Sequence, residues 1–469
     1  MQTPRRTQPF IHAAYLVLLA LVALLPRLLD LGLFITHDEA EFWIERSRQF
    51  WQAMQAGDYG ATAISTHPGV TTMWSGMLGM MLREWLFTQG ILQTDSLVLL
   101  LTWQRVPAVL VHTAGILLGY YLLRRILPAS VAMLAALLWA ADPFAISYSR
   151  LLHTDALLMT FATISLLAAL VYWQQRAHVG YLVLSAGCGA LAVLSKSPGL
   201  VMLPMIAAIA LLSAWEQTAP LRQTSNGYRS FALCALRCSC IWGAVFVLTI
   251  LLVWPATWAD PLRVYELLRT GVEAEGAQPH MTGNFFLGQR TDVPGPLLYP
   301  AVLALRTTPI TLIGLLLLPV VWWRSRLDAA QRRTLALLAG YVLLFTLAMS
   351  LFPKQFNRYL VPVFPALDVL AAVGLWGAIR VKRTAQNAVF ALTTRHSTIA
   401  ASLVAVLAIA NIIAWHPYHI TAFNQMLGGA QAGARVFAVG WGEGYHLAAA
   451  WLNEQDDITG ALTVSRMIT

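Results

Sequence analysis

The feature that most restricts this chain is a run of about twenty apolar residues that recurs along nearly its whole length. Such runs lie near 12–34, 103–123, 130–147, 151–173, 179–195, 198–215, 231–254, 300–323, 334–352, 359–379 and 397–415. A stretch of that length crosses the hydrocarbon layer as a helix, because a helix satisfies its own backbone groups where no water is present. The runs predict an all-α polytopic membrane protein with about eleven spans. One further apolar stretch, 70–87, is interrupted by Gly76, Gly79, Arg83 and Glu84 and reads as a juxtamembrane or re-entrant segment.

Composition agrees: 58% of the 469 residues are hydrophobic and 11% are charged. A soluble domain carries about a quarter charged residues. The net charge of +9 does not indicate a nucleic-acid partner, because the arginines cluster in short loops between apolar runs. Arg124–Arg125, Arg176, Arg222, Arg229, Arg324, Arg326, Arg332, Arg333, Arg380, Lys382 and Arg383 mark a cytoplasmic face and alternate with loops that hold nearly all the acids. That pattern predicts a multi-pass protein of the plasma (inner) membrane, N-terminus inside and C-terminus outside. Asp38–Glu39, the loop 255–299 and the tail after Trp415 then face outward. No small-x-small cleavage site follows the first run, which reads as an uncleaved span. Cys188, Cys234, Cys238 and Cys240 lie in or beside apolar runs and read as small apolar filler, without a disulfide framework or zinc spacing.

The outward segments are patterned. Residues 38–56 mix Phe42, Trp43, Phe50, Trp51 and Met54 with Arg46 and Arg48, as in a helix lying in the interface with one face in lipid. The loop 255–299, with Trp258, Pro255 and Pro261, reads as ordered at the membrane surface. From about 433, "ARVFAVG" reads as a strand, "GYHLAAAWLNEQ" as a helix and "ALTVS" as a second strand. The expected organisation is a transmembrane unit over 1–420 followed by the start of a small external α/β segment over 421–469.

Four constellations carry chemistry. In "HDEAE", Asp38 and Glu39 supply more acid than a helix cap needs at an interface where charge is costly. A carboxylate there is placed to take a proton from an acceptor hydroxyl as general base. In "DPFAISYSRLLHTDALL", Arg150, His153 and Asp155 gather with Asp142 at the outer ends of two adjacent spans; for Asp142 an ordinary helix cap explains the residue. The chain has three lysines, Lys196, Lys354 and Lys382. Lys196 in "LSKSPGL" and Lys354 in "FPKQFNRYLVP" sit at outer span ends, where positive charge is normally avoided, and Arg358 and Tyr359 add donors beside Lys354. Compact cations in such places suit a lipid phosphate. Finally, His67 in "THPGV" joins His37 and His153 as possible donors to a divalent metal ion, though no ligand spacing compels one.

Taken in order, these pieces resemble the GT-C superfamily of polytopic glycosyltransferases, in particular family 39. That branch is akin to the protein O-mannosyltransferases and the lipid A aminoarabinose transferases. The resemblance rests on the acidic pair after the first span, "HPG", "DPF…YSR…TDALL", "LSKSPG" and "PKQFNRYLVPVFPAL", and on the late "WHPYHITAFNQMLGG…VGWGEGYHLAAAWLN". It implies a GT-C-type bundle and an inverting transfer of a sugar from a polyprenyl-phosphate donor to a lipid, glycan or protein acceptor on the outer face. By the same resemblance Asp38 is the catalytic base with Glu39 beside it, and Asp155 is a later acid near the reaction centre. Lys196, Lys354, Arg358, Tyr359 and Arg150 are expected around the donor phosphate, with His67 and His153 in the substrate pocket. The chain departs from the family in reading "KSP" and "HPG" where many members have "KGP" and "HPP". Two other readings use the same scaffold: a transporter or flippase of lipid-linked sugars, and a surface-glycan polymerase or ligase. The transporter reading wants acids at mid-membrane, and Asp368 alone lies inside a predicted span.

Overall fold

The structure is a computed structural model that describes residues 8–94, 96–175, 178–217, 227–281, 283–324, 327–380 and 394–455. The chain enters through α1 (Gln8–Leu28) and passes a loop and a wide π-type turn, Glu39–Trp43, into α2 (Ile44–Ala56). Next come α3 (Val70–Thr88), α4 (Leu97–Ile126), α5 (Ala129–Ala141), α6 (Pro143–Ser149), α7 (Thr154–Gln175), α8 (Gly180–Ser195), α9 (Met202–Gln217) and α10 (Gly227–Val253). A surface segment holds α11 (Ala256–Ala259), α12 (Pro261–Gly271) and a two-stranded antiparallel hairpin, β1 (Asn284–Phe286) and β2 (Gln289–Thr291). The bundle closes with α13 (Leu298–Arg306), α14 (Pro309–Arg324), α15 (Ala329–Ser350), α16 (Phe364–Arg380) and α17 (Thr394–Trp415), followed by the short α18 (Gly429–Val436) and α19 (Tyr445–Asn453).

The protein is a multi-pass membrane protein. Among the described residues six helices are long and apolar enough to cross a membrane, up to eight if each of two bent pairs counts as one span, and three shorter apolar helices fall on the remaining predicted runs. The bent pairs refine the sequence reading. The run at 130–147 divides into α5 and α6 with a bend of 58°, and the run at 300–323 into α13 and α14 with a bend of 108°. Asp142 sits at the first break and caps α6, its Oδ1 accepting the Phe144 and Ala145 N–H groups at 2.7 and 3.1 Å, with Pro143 in the first turn. It therefore lies at the break, away from the end of the span where the sequence reading put it.

Two spans form the centre. The Thr154–Gln175 and Asn357–Ala378 windows are 89% buried, whereas Ala235–Val253 is 11% buried. α7 is apolar on every side, as a helix surrounded by protein must be. Small residues set the spacing: a Cβ on Gly374 of α16 would come within 2.0 Å of the Gly314 carbonyl of α14, so these two backbones touch only because neither bears a side chain there. Polar ties cross the bundle where lipid offers no partner. Ser165 of α7 donates to the Ser185 carbonyl of α8 at 2.7 Å, and Trp242 of α10 donates to Ser185 Oγ at 3.1 Å.

Two surface expectations change. Trp43 and Phe50 are buried in protein instead of facing lipid, with the Phe50 ring against Trp74 of α3, while Phe42 stays exposed. "ARVFAVG" does not form a strand: 434–436 belong to α18, and Phe437 alone makes a β-bridge, to Phe286. The reason is packing. Gly433 lies against the Phe423 ring, which a helical turn allows, and Phe437 stacks on both Phe286 and Phe423. The other expected strand, in 461–465, and the basic residues Arg176, Arg222, Arg326, Lys382 and Arg383 lie outside the described residues.

Candidate active site

Four segments meet at one end of the bundle: the loop after α1, the turn between α6 and α7, the end of α8, and the turn leading into α16. The loop after α1 is held by a buried ion pair. Glu39, fully buried, receives Arg105 Nε and Nη2 of α4 at 2.8 and 2.6 Å, the Thr36 N–H and hydroxyl at 3.1 and 2.7 Å, and the Leu152 N–H at 2.8 Å. Arg105 also donates to the carbonyls of Leu31 and Phe34. Burial alone would raise the Glu39 pKa; Arg105 and the other donors more than reverse that and lower it. With both oxygens saturated, Glu39 has no lone pair to offer a substrate. It fastens the loop, and Asp38 beside it projects into the centre.

Around Asp38 the charges alternate. Asp38 Oδ2 lies 3.0 Å from His153 Nε2 and 3.5 Å from Arg358 Nη2. Arg358 Nε is 3.7 Å from Asp155 Oδ2, and Lys196 Nζ donates to Asp155 Oδ1 at 2.7 Å. His153 Nδ1 lies 3.3 Å from Asp155 Oδ2 and 3.4 Å from the Asp155 backbone nitrogen, so the imidazole stands between the two carboxylates. Burial by itself would raise the Asp38 pKa, but Arg358, His153 and Lys196 together hold the carboxyl well below its usual range. Burial pulls the Lys196 ammonium downward against the opposing pull of Asp155. Tyr359 lays its ring 4.0 Å from Lys196 Nζ. Asp155 Oδ2 and Arg358 Nε are buried without a hydrogen-bond partner, so bonding capacity is left over between the acids and the cations.

Aromatic rings wall this cluster. Trp43 meets the His153 ring edge-on at 6.2 Å, and Gly69 of the "HPG" turn, at φ +59°, leaves the room that Trp43 occupies; a Cβ there would lie 2.4 Å from the indole. The same turn is tied to the end of α8, the Gly69 N–H donating to the Ser195 carbonyl at 3.2 Å, immediately before Lys196. From the other side Trp441 covers both His153, at 5.0 Å, and Arg358, at 4.7 Å. Its carbonyl accepts the His37 N–H at 3.2 Å, and Gly442, at φ +115°, rests on the Ile35 carbonyl where no Cβ fits.

The other predicted residues are placed differently. Arg150 is buried and donates to the carbonyls of Leu29, Asp30 and Pro417, stapling the loop after α1 to the segment after α17. Its Nη1 also lies 3.4 Å from His419 Nδ1, so its donors already have partners in the loop after α1 and in the segment 417–419. Lys354 is half-buried four residues before Arg358, in the same turn. His67 belongs to the turn that seats Trp43, and His37 packs edge-on against Phe42. Among the described residues no group of three or more His, Cys, Asp or Glu side chains gathers as metal donors. The carboxylates of the centre already face Lys196, Arg358 and His153, a donor set that does not fit a resident divalent ion.

Comparison with known proteins decides the architecture. Residues 101–242 match the family of dolichyl-phosphate-mannose-protein mannosyltransferases. The crystal structure of ArnT from Cupriavidus metallidurans bound to undecaprenyl phosphate superposes with a TM-score of 0.53 over 86% of this chain and 71% of that one, at 19% identity. Its apo form gives a TM-score of 0.53 over 86% and 70%, at 16% identity. The chain has the GT-C fold. No curated protein matches the sequence. On this GT-C scaffold the acids after the first span, the acid opening α7 and the lysine after α8 share one end of the bundle. Sequence reasoning missed Arg105, whose lone basic residue within an apolar run was the available signal, and Trp441, for which the Gly440–Gly442–Gly444 spacing was the only one.

Proposed function

We propose that the protein is a membrane glycosyltransferase that moves a sugar from a polyprenyl-phosphate donor to an acceptor hydroxyl, with inversion, at the outer face of the plasma (inner) membrane. The observation that carries the reading is the convergence of Asp38 and Asp155 with Lys196 and Arg358, delivered by four separate segments and walled by Trp43 and Trp441. The mannosyltransferase match and the undecaprenyl phosphate bound to ArnT support a lipid-phosphate donor.

In the resting arrangement each carboxylate occupies a cation. A donor phosphate entering between them takes Lys196 and Arg358 as its counter-charges, with Lys354 and Tyr359 at its border. As the sugar C1–O bond to phosphate breaks, those cations hold the charge that develops on the leaving oxygen, in a site walled by Trp43 and Trp441. The new bond forms between the acceptor oxygen and C1, and the acceptor proton passes to Asp38. Withdrawal of Arg358 from Asp38 removes the main cation that depresses its pKa, so donor binding makes Asp38 a stronger base. His153 orients Asp38, Glu39 and Arg105 hold its loop, and Arg150 holds the neighbouring turn. No step passes through a metal ion, so transfer is expected to survive chelation. We read residues 1–420 as the catalytic unit and 421–469 as the start of an external segment whose Trp441 closes the centre.

The test is to reconstitute the purified protein with a panel of radiolabelled polyprenyl-phosphate sugars and membrane extract. One donor should be consumed, and Asp38→Asn should lower transfer by roughly 10²–10⁴-fold while donor binding persists. Full activity in that variant refutes the assignment of the base.

A further inference from the structure

A second buried cation at the same end of the bundle takes no part in this chemistry. Arg306 ends α13 at the 108° break, is 4% exposed, and lines a shallow, solvent-open groove together with Phe144, Asn411, Trp415, Phe423 and Gln425. Its guanidinium is clamped between two rings, 4.8 Å from Phe144 and 3.7 Å from Phe423. Nη1 donates to the carbonyls of Ile420 and Ala422 at 2.8 Å each, and Nε is buried without a partner. No carboxylate among the described residues lies within ion-pair distance; Asp142 and Glu443 act on it only from farther away. An arginine does not discharge by losing its proton, and a buried unpaired charge is costly, so the site is one counter-anion short.

We propose that this groove binds a phosphate group, carried by an anionic lipid headgroup of the adjoining leaflet. Position favours the lipid source. The groove is lined by Thr308, just before α14, and by Asn411 and Trp415 of α17; both helices expose apolar side chains suited to lipid, among them Ile313, Leu316, Leu403, Val406 and Ile413, and Trp415 is of the type found at membrane interfaces. Asn411 and Gln425, joined by a 2.9 Å hydrogen bond, give the rim polar groups able to hold a headgroup. The planar guanidinium fork is suited to phosphate oxygens. The Phe144–Tyr148 ring pair, 5.4 Å apart, stands between this site and the reaction centre, and the inference holds whether or not the transfer reaction is as proposed.

The full chain is placed in phosphatidylcholine nanodiscs with and without phosphatidylglycerol, and separately titrated with inorganic phosphate. Thermal unfolding and native mass spectrometry read the binding. The expected result is an upward shift in Tm and retained phosphatidylglycerol adducts, weakened roughly tenfold or more by Arg306→Met, less by Arg306→Lys, and about fivefold by Gln425→Leu on the exposed rim. A response to phosphatidylglycerol alone assigns the lipid headgroup; an equal response to inorganic phosphate keeps the phosphate site but gives it to a soluble ligand. If Arg306→Lys and Gln425→Leu, both folded, hold phosphatidylglycerol and phosphate as the parent does, the proposal is wrong.

Discussion

Arg358, half-buried, and Arg306, buried, are arginines at the same end of one bundle, and they are handled in opposite ways. Arg358 stands between two carboxylates, 3.5 Å from Asp38 and 3.7 Å from Asp155, within a cluster where Lys196 adds a second cation. Arg306 has rings on two faces, backbone carbonyls on one nitrogen and, among the described residues, no acid within ion-pair distance. The first arrangement balances its charges internally, and in the proposed mechanism it changes partners when a phosphate arrives. The second is complete only with an anion from outside. Buried charge therefore marks two kinds of site, and the local partners distinguish them.

Breaking the charge pairs should separate the two regions. Lys196→Met leaves Asp155 buried with its closest cation gone, and is expected to cost about 3–5 kcal/mol of stability. Adding Asp155→Asn should recover most of that without recovering transfer, as read by denaturation and by transfer assay on the same nanodisc samples. Glu39→Gln strips the charge opposite Arg105 and should cost roughly 3 kcal/mol, with the loss tracing to the loop that carries Asp38. Arg306→Met strands no carboxylate at ion-pair distance and should cost less, about 1–3 kcal/mol from its carbonyl bonds. Equal costs for Lys196→Met and Arg306→Met would erase the contrast.

A smaller effect sharpens it by pH. The Asp38 pKa is depressed, so the stability it contributes is present above the unfolded carboxylate value of about 3.9 and is lost only as pH falls through the much lower folded value. Removing Arg358 raises that folded value. Arg358→Gln should thus move the acid limb of kcat/KM toward higher pH, whereas Arg306→Met should leave the limb where it is. An unshifted limb in the Arg358 variant argues that Asp38 is not the group titrating in catalysis.

Much of this protein was legible before any coordinates. Each of the eleven apolar runs corresponds to a helix or a bent helix pair, because burial of backbone in lipid leaves the chain little choice. The lysines were legible as anomalies: Lys196 stood out against a background of arginine, and it is found 2.7 Å from Asp155. The division of labour within "HDEA" was not legible. Adjacent residues look alike as letters, and only the arrival of Arg105 from 66 positions away makes Glu39 a fastening and leaves Asp38 to face His153 and Arg358.

Arg150 and Trp441 teach the same thing from opposite directions. The family resemblance put Arg150 beside the donor phosphate, and the structure gives three of its donor contacts to carbonyls. Trp441 read as part of a small external α/β segment, between its first strand and its helix, yet it closes the centre. What the chain settled alone was its membrane habit and the places of its apolar helices, since those follow from local apolarity and backbone hydrogen bonding. Which charge meets which was left to the tertiary structure, because an ion pair depends on distances between segments that no local pattern encodes.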